Sequence, residues 1–139
     1  MVWNEYIPSS EITDKVTEKT VQFAEKFGEY LGTDDVASTP QGGKRKEKTK
    51  LTTNQLRKFF GEVKRQQLQG YNESSFVMLK PKLAYAVGRA DGKNKIVDFY
   101  KVISEAMSHV KDEAQFRNFV QIFEAIVAYH KAAEMGVNI

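Results

Sequence analysis

The chain has 139 residues, 41% hydrophobic and 28% charged, a composition that suits one folded domain and argues against wholesale disorder. It contains no cysteine, which excludes disulfides, thiol catalysis and cysteine-ligated zinc and suits a reducing, cytoplasmic setting. The longest apolar run, Ala125 to Tyr129, is far below the roughly 18 residues of a membrane span. The start, Met1-Val2-Trp3-Asn4-Glu5, lacks the basic-then-apolar order of a secretory signal.

The net charge of +3 conceals an uneven distribution. Residues 1–40 carry eight acids against three lysines, residues 41–95 carry fourteen Lys/Arg against four acids, and residues 96–139 carry four Lys/Arg against six acids. A basic middle between two mildly acidic ends points to a polyanionic partner.

Hydrophobic periodicity predicts an all-α chain, a compact bundle of about five helices with no convincing strand. Its expected organisation is an N-terminal acidic helix and basic flexible linker over 1–49, then a helical-bundle core over 50–139, one domain overall. The first helix is expected from Ser10 to Leu31, with Ile12, Val16, Phe23, Phe27 and Tyr30 inward and Glu11, Asp14, Glu18, Glu25 and Glu29 outward. That acidic side reads either as a hydrated surface or as a face for the basic surface of a neighbouring copy. Trp3, Tyr6 and Ile7 form an apolar arm before it. Residues 32–50 show no helical period, and Gly42-Gly43 leads into Lys44-Arg45-Lys46-Glu47-Lys48, a mobile charged linker.

The second helix has the clearest start. Thr52 is a capping residue with Gln55 three positions on, and Leu51 and Leu56 form a hydrophobic staple. Leu56, Phe59, Phe60 and Val63 make its buried stripe, and Gly70 ends it. A third helix covers Ser75 to Ala90, and Pro81 either bends it or begins it. Asp91-Gly92-Lys93-Asn94 breaks the chain before a fourth helix ending near Val110, with Ile96, Tyr100, Ile103, Met107 and Val110 inward. Asp112 caps the fifth, whose broad apolar arc of Phe116, Phe119, Val120, Phe123, Ile126, Val127 and His130 marks it as the most enclosed.

With Leu56 at 0°, Arg57, Lys58, Gly61, Lys64 and Arg65 fall between about 80° and 200°, away from the core stripe. Lys44, Arg45, Lys46, Lys48 and Lys50 lead into that face. Long cations at such spacings suit a phosphate backbone, or simply a solvated helix face. On the third helix Lys82, Tyr85 and Arg89 share one side, with Lys80 at the bend. An aromatic between cations suits a stacked base flanked by phosphates, or a boundary tyrosine among solubilising charges.

No catalytic set, cofactor site or metal site is predicted. His130 lies amid an apolar arc, as a hydrogen-bonded core histidine would. His109 stands near a helix end, where the dipole favours it. Gly42-Gly43-Lys44 lacks the remaining phosphate-loop spacing.

Three stretches carry a resemblance. Leu51-Thr52-Thr53-Asn54-Gln55-Leu56-Arg57, followed by Val63 and Arg65, resembles the second-helix signature of the small subunit of the type III-A CRISPR effector (Csm) complex. Leu79-Lys80-Pro81-Lys82-Leu83-Ala84-Tyr85-Ala86-Val87-Gly88-Arg89 resembles that family's next helix, and Phe119 through Tyr129 its last. The resemblance spans about residues 50–131; residues 1–49 match nothing and carry over no role.

The resemblance implies a non-catalytic subunit. Several copies of it line the guide RNA–target RNA duplex, contact the target-strand backbone, and touch neighbouring copies, the guide-binding backbone subunits and the large polymerase-like subunit. It assigns RNA contact to Arg57, Arg65, Lys80, Lys82 and Arg89. Lys50, Lys58 and Lys64 join them from the helix face alone, and Tyr85 from its place between cations. The competing readings are a helical protein–protein adaptor without nucleic-acid contact and a small hydrolase, the latter without a visible nucleophile or phosphate loop.

Overall fold

A computed structural model of the chain describes residues 3–5, 7–90 and 95–137. Tyr6 and the Asp91–Asn94 break lie outside the described residues. The fold is predominantly helical, with one small strand pair.

The N-terminal helix is two. α1 (Ser10–Thr13) and α2 (Glu18–Leu31) are separated by four residues. Thr17 takes an extended conformation (φ −127°, ψ 175°), and its backbone N–H donates to Thr20 Oγ1 at 3.0 Å. That side-chain bond substitutes for a continuing helical one and shifts the phase of everything before it. Glu11, placed outward by an unbroken period, is therefore buried, and Thr20 donates to its carboxylate at 3.2 Å. Trp3 rests on Phe27 and Tyr30, with ring centroids 4.7 and 5.4 Å apart.

The supposed linker is partly ordered as an antiparallel pair, β1 (Val36–Ser38) and β2 (Lys44–Lys46), in the register Val36↔Lys46, Ala37↔Arg45, Ser38↔Lys44. Gly42 at φ 84° closes the turn, and Thr39 Oγ1 accepts the Gly43 N–H at 3.0 Å. Three-residue strands with exposed lysines bury no face, so no alternation announces them.

α3 (Thr53–Gln69) starts as its sequence requires. Thr52 Oγ1 accepts from Gln55 N, and Gln55 Oε1 accepts from Thr52 N. The expected third helix is two segments, α4 (Glu73–Val77) and α5 (Leu79–Arg89), sharing Met78 as junction. Pro81 is the third residue of α5, in the first turn, where a missing N–H costs no intrahelical bond. α6 (Ile96–Met107) buries Phe99, Val102 and Ala106 beyond the residues expected, while Tyr100 is half-buried.

α7 (Glu113–Glu134) is the spine, and its Asp112 cap accepts from Gln115 N at 2.8 Å. Phe116, Phe119 and Phe123 meet Phe76 of α4 and Phe59 of α3 in ring contacts of 5.3–5.5 Å. His130 is buried and donates Nε2–H to the Leu51 carbonyl at 2.6 Å, the core role expected of it. His109 near the end of α6 faces Glu105 at 3.3 Å.

α2 packs on α7 with almost no side-chain spacing. A Cβ on Gly28 would stand 2.7 Å from Tyr129 Cβ and 2.8 Å from both His130 N and the Ile126 carbonyl oxygen. One on Gly32 would meet the His130 carbonyl at 2.7 Å. Gly28→Ala gains about 1 kcal/mol of helix propensity but forces rigid backbone apart at a cost of about 1–3 kcal/mol. A net loss is expected, lowering the thermal midpoint by about 3–6 °C in a chain of this size. An unchanged or raised midpoint in a calorimetric scan would refute the close approach.

Candidate nucleic-acid interface

α3 and α5 run side by side and leave a groove of about 600 Å³ between them. Its floor is apolar, built from Phe59 of α3 and Leu79, Leu83 and Ala86 of α5. One wall carries Asn54, Gln55, Lys58 and Glu62; the other carries Lys82, Tyr85 and Arg89. The helical period explains the grouping. Lys58 and Glu62 are one turn apart on α3, while Lys82, Tyr85 and Arg89 rise along one side of α5. Tyr85 is 69% exposed, so its ring is available to a stacking partner.

Glu62 is the single acid in this lining. Arg65 grips it with both Nη2 (2.5 Å) and Nε (3.2 Å), and Lys82 reaches across from α5 to the same Oε1 at 3.1 Å. These bonds, the Arg65 pair foremost, pull the Glu62 carboxyl down to about 2 and raise the Arg65 guanidinium. Two of the expected RNA contacts, Arg65 and Lys82, are thus held by an internal carboxylate while remaining more than half exposed.

The other expected residues spread around the molecule. Arg57 is exposed on α3 outside the groove lining, about 20° around the helix from Lys64, with no ion pair among the described residues. Lys64 turns to α7, where it pairs with Glu124 at 3.2 Å and sits 6.0 Å from the Phe60 ring centre. Lys50 lies where the chain enters α3. Its backbone N–H donates to Asp34 at 3.0 Å, and its charge helps hold Glu134 low. Lys80 is half-buried, about 160° around α5 from Lys82 at about 100° per residue. The groove therefore gathers Lys58, Lys82, Tyr85 and Arg89, with Arg65 flanking it through Glu62, and leaves Lys50, Arg57, Lys64 and Lys80 outside its lining.

Asn54, Gln55 and the apolar floor were not singled out from sequence. Polar residues in a first helical turn signal capping before they signal a groove wall. One basic residue, Lys95, contributes nothing to the surface. Its buried ammonium donates to the carbonyls of Tyr30 (2.9 Å) and Thr33 (2.7 Å), pairs with Asp35 at 3.0 Å, and sits 4.1 Å from the Tyr30 ring centre. Among the described residues no group of three His, Cys, Asp or Glu could hold a metal ion, and no helix is long and apolar enough to cross a membrane.

The fold defines a small, predominantly helical protein with a groove that is basic-rimmed and apolar-floored. The family model for Csm2 Type III-A matches residues 36–135, and the chain belongs to that family. It is a small subunit of the type III-A CRISPR effector complex. No curated protein and no solved structure matches it. The matched span runs from β1 into the end of α7, so α1 and α2 precede it.

The Glu62 carboxylate yields a pH prediction. Its folded pKa lies below the ordinary 4.5, so its stabilisation is complete above that value and is lost as pH falls through about 2. In urea unfolding, wild type should exceed Glu62→Gln by less than about 1 kcal/mol above pH ~5, the pair being surface-placed, with the difference gone by pH ~2. An equal difference at both pH values would show that the carboxylate is not held by Arg65 and Lys82.

Proposed function

We propose that the α3–α5 groove grips the sugar–phosphate backbone of the target strand in the guide RNA–target RNA duplex, and that the chain does so without catalysing any reaction. The observation that carries the reading is the convergence of Lys58, Lys82 and Arg89 around one groove, with Arg65 beside it through Glu62 and the exposed Tyr85 ring at its edge. Cations on long, mobile stems hold phosphates whatever the sequence, and a ring face accepts any base. A subunit that serves every guide needs that tolerance. Cutting then falls to other subunits of a cytoplasmic complex, whose guide-binding backbone, polymerase-like subunit and further copies of this chain supply its protein contacts.

The apolar floor supports a second reading, an adaptor that seats an apolar side chain of a neighbouring subunit, and salt separates the two. If about five phosphates are engaged, log K for RNA should fall against log salt with a slope near −3 to −4. Alanine at Arg57, Lys82 or Arg89 should each weaken target-RNA retention by the assembled complex and flatten the slope by about 0.7. Retention indifferent to salt and to all three replacements would favour the adaptor.

A further inference from the structure

Glu62 is anomalous where it stands. The groove lining otherwise carries Lys58, Lys82 and Arg89, and a carboxylate there opposes the approach of any phosphate. Its geometry is that of a bound anion. The Arg65 fork meets its two oxygens at 2.5 and 3.2 Å, and an ammonium from the facing helix completes the contact at 3.1 Å. A guanidinium fork presents the same paired donors to two phosphate oxygens as to two carboxylate oxygens. The arrangement is not needed to join α3 to α5, because Phe59, Leu79 and Leu83 already pack between them and all are buried, whereas exposed ion pairs contribute little. The carboxyl is also held well below its usual range, so it stays anionic wherever RNA is intact.

We propose that Glu62 is an internal competitor for the RNA phosphate: its carboxylate occupies the anion position between Arg65 and Lys82 and is displaced when the backbone docks, which limits the affinity of each copy. The inference rests on the RNA-contact reading above and adds a role for a residue that reading leaves unexplained. Two effects of Glu62 oppose each other. It pre-positions Arg65 and Lys82, which aids binding, and it repels and excludes phosphate, which hinders binding. Holding exposed side chains is worth a few tenths of a kcal/mol, while a like charge at the contact point costs a docking phosphate about 1 kcal/mol even in water, so hindrance wins. A weak single copy suits an assembly in which several linked copies share one strand, because affinity then multiplies along the row.

The test is binding of a fluorescein-labelled, mixed-sequence single-stranded RNA of about 20 nucleotides across a salt series. It is read both for the full chain and for the effector complex assembled with it. Glu62→Gln and Glu62→Ala are each expected to bind about three- to tenfold more tightly at low salt. Their log K–log salt lines should run parallel to that of wild type, because docking displaces the carboxylate and the same phosphates are engaged in each chain. Arg89→Ala, in the groove lining and outside the Glu62 cluster, is the control, expected to weaken binding and flatten the line. If Arg89→Ala behaves so while both Glu62 variants bind no better than wild type, the competitor role is overturned and the RNA-contact reading stands. An equal gain from Glu62→Gln when Arg65 and Lys82 are both alanine also overturns it, since mere repulsion would then be relieved with no paired cation to free. Failure of every chain to bind RNA, alone or in the complex, overturns the RNA-contact reading and this inference with it.

Discussion

The seating of α2 on α7 sets the rest of the molecule. Ala24, Gly28 and Gly32 recur at one-turn spacing, so the two helix backbones approach until a single added methyl group would collide with Tyr129 and His130. From that contact the end of α2 delivers the Leu31 carbonyl to the Leu51 N–H at 2.7 Å, and α7 delivers His130 to the Leu51 carbonyl. Leu51, with both backbone groups held and its side chain buried, precedes the Thr52 cap that launches α3. The direction of α3, and with it the groove shared with α5, follows from how two residues upstream are pinned. Although α2 lies outside the family match, the matched helices depend on it.

A second constraint closes the same end of the bundle. The C-terminus of α2 leaves carbonyls without intrahelical partners, and burying them unmet would be costly. Lys95 answers one of them, that of Tyr30, together with the Thr33 carbonyl just past the helix end, with Asp35 balancing its charge and the Tyr30 ring lying against it. Tyr30 in turn donates its hydroxyl to Asp98 on α6, and burial and that carboxylate push the phenol well above its usual range. A charged triad at a helix end thereby ties α2, the hairpin approach and α6 together. It also removes a lysine from the positive surface.

The groove illustrates why a count of charges differs from a surface. Residues 41–95 carry a large positive excess, yet Lys95 is buried, Lys64 and Arg45 are paired locally, and Lys80 looks away. What remains coherent is the set that the α3–α5 contact turns inward on one cleft. Its net positive field is lowered by Glu62, which Arg65 and Lys82 hold between them.

Local chemistry sufficed for everything that local chemistry governs. The Thr52–Gln55 reciprocal cap, the Asp112 cap, the apolar stripes of α3 and α7 and the enclosed His130 were all legible, because each depends on residues within a turn or two. The family was legible too, since its ordered stretches lie on α3, α5 and α7. Sequence could not show that Thr17 and Thr20 break the first helix and so carry Glu11 inward. A side-chain bond there competes with a helical bond of similar strength, and the packing decides between them. Nor could it show the hairpin, whose strands bury nothing, or which cations would share a cleft. Spacing along one helix places residues on a face, but only the packing of two helices against each other determines which faces meet.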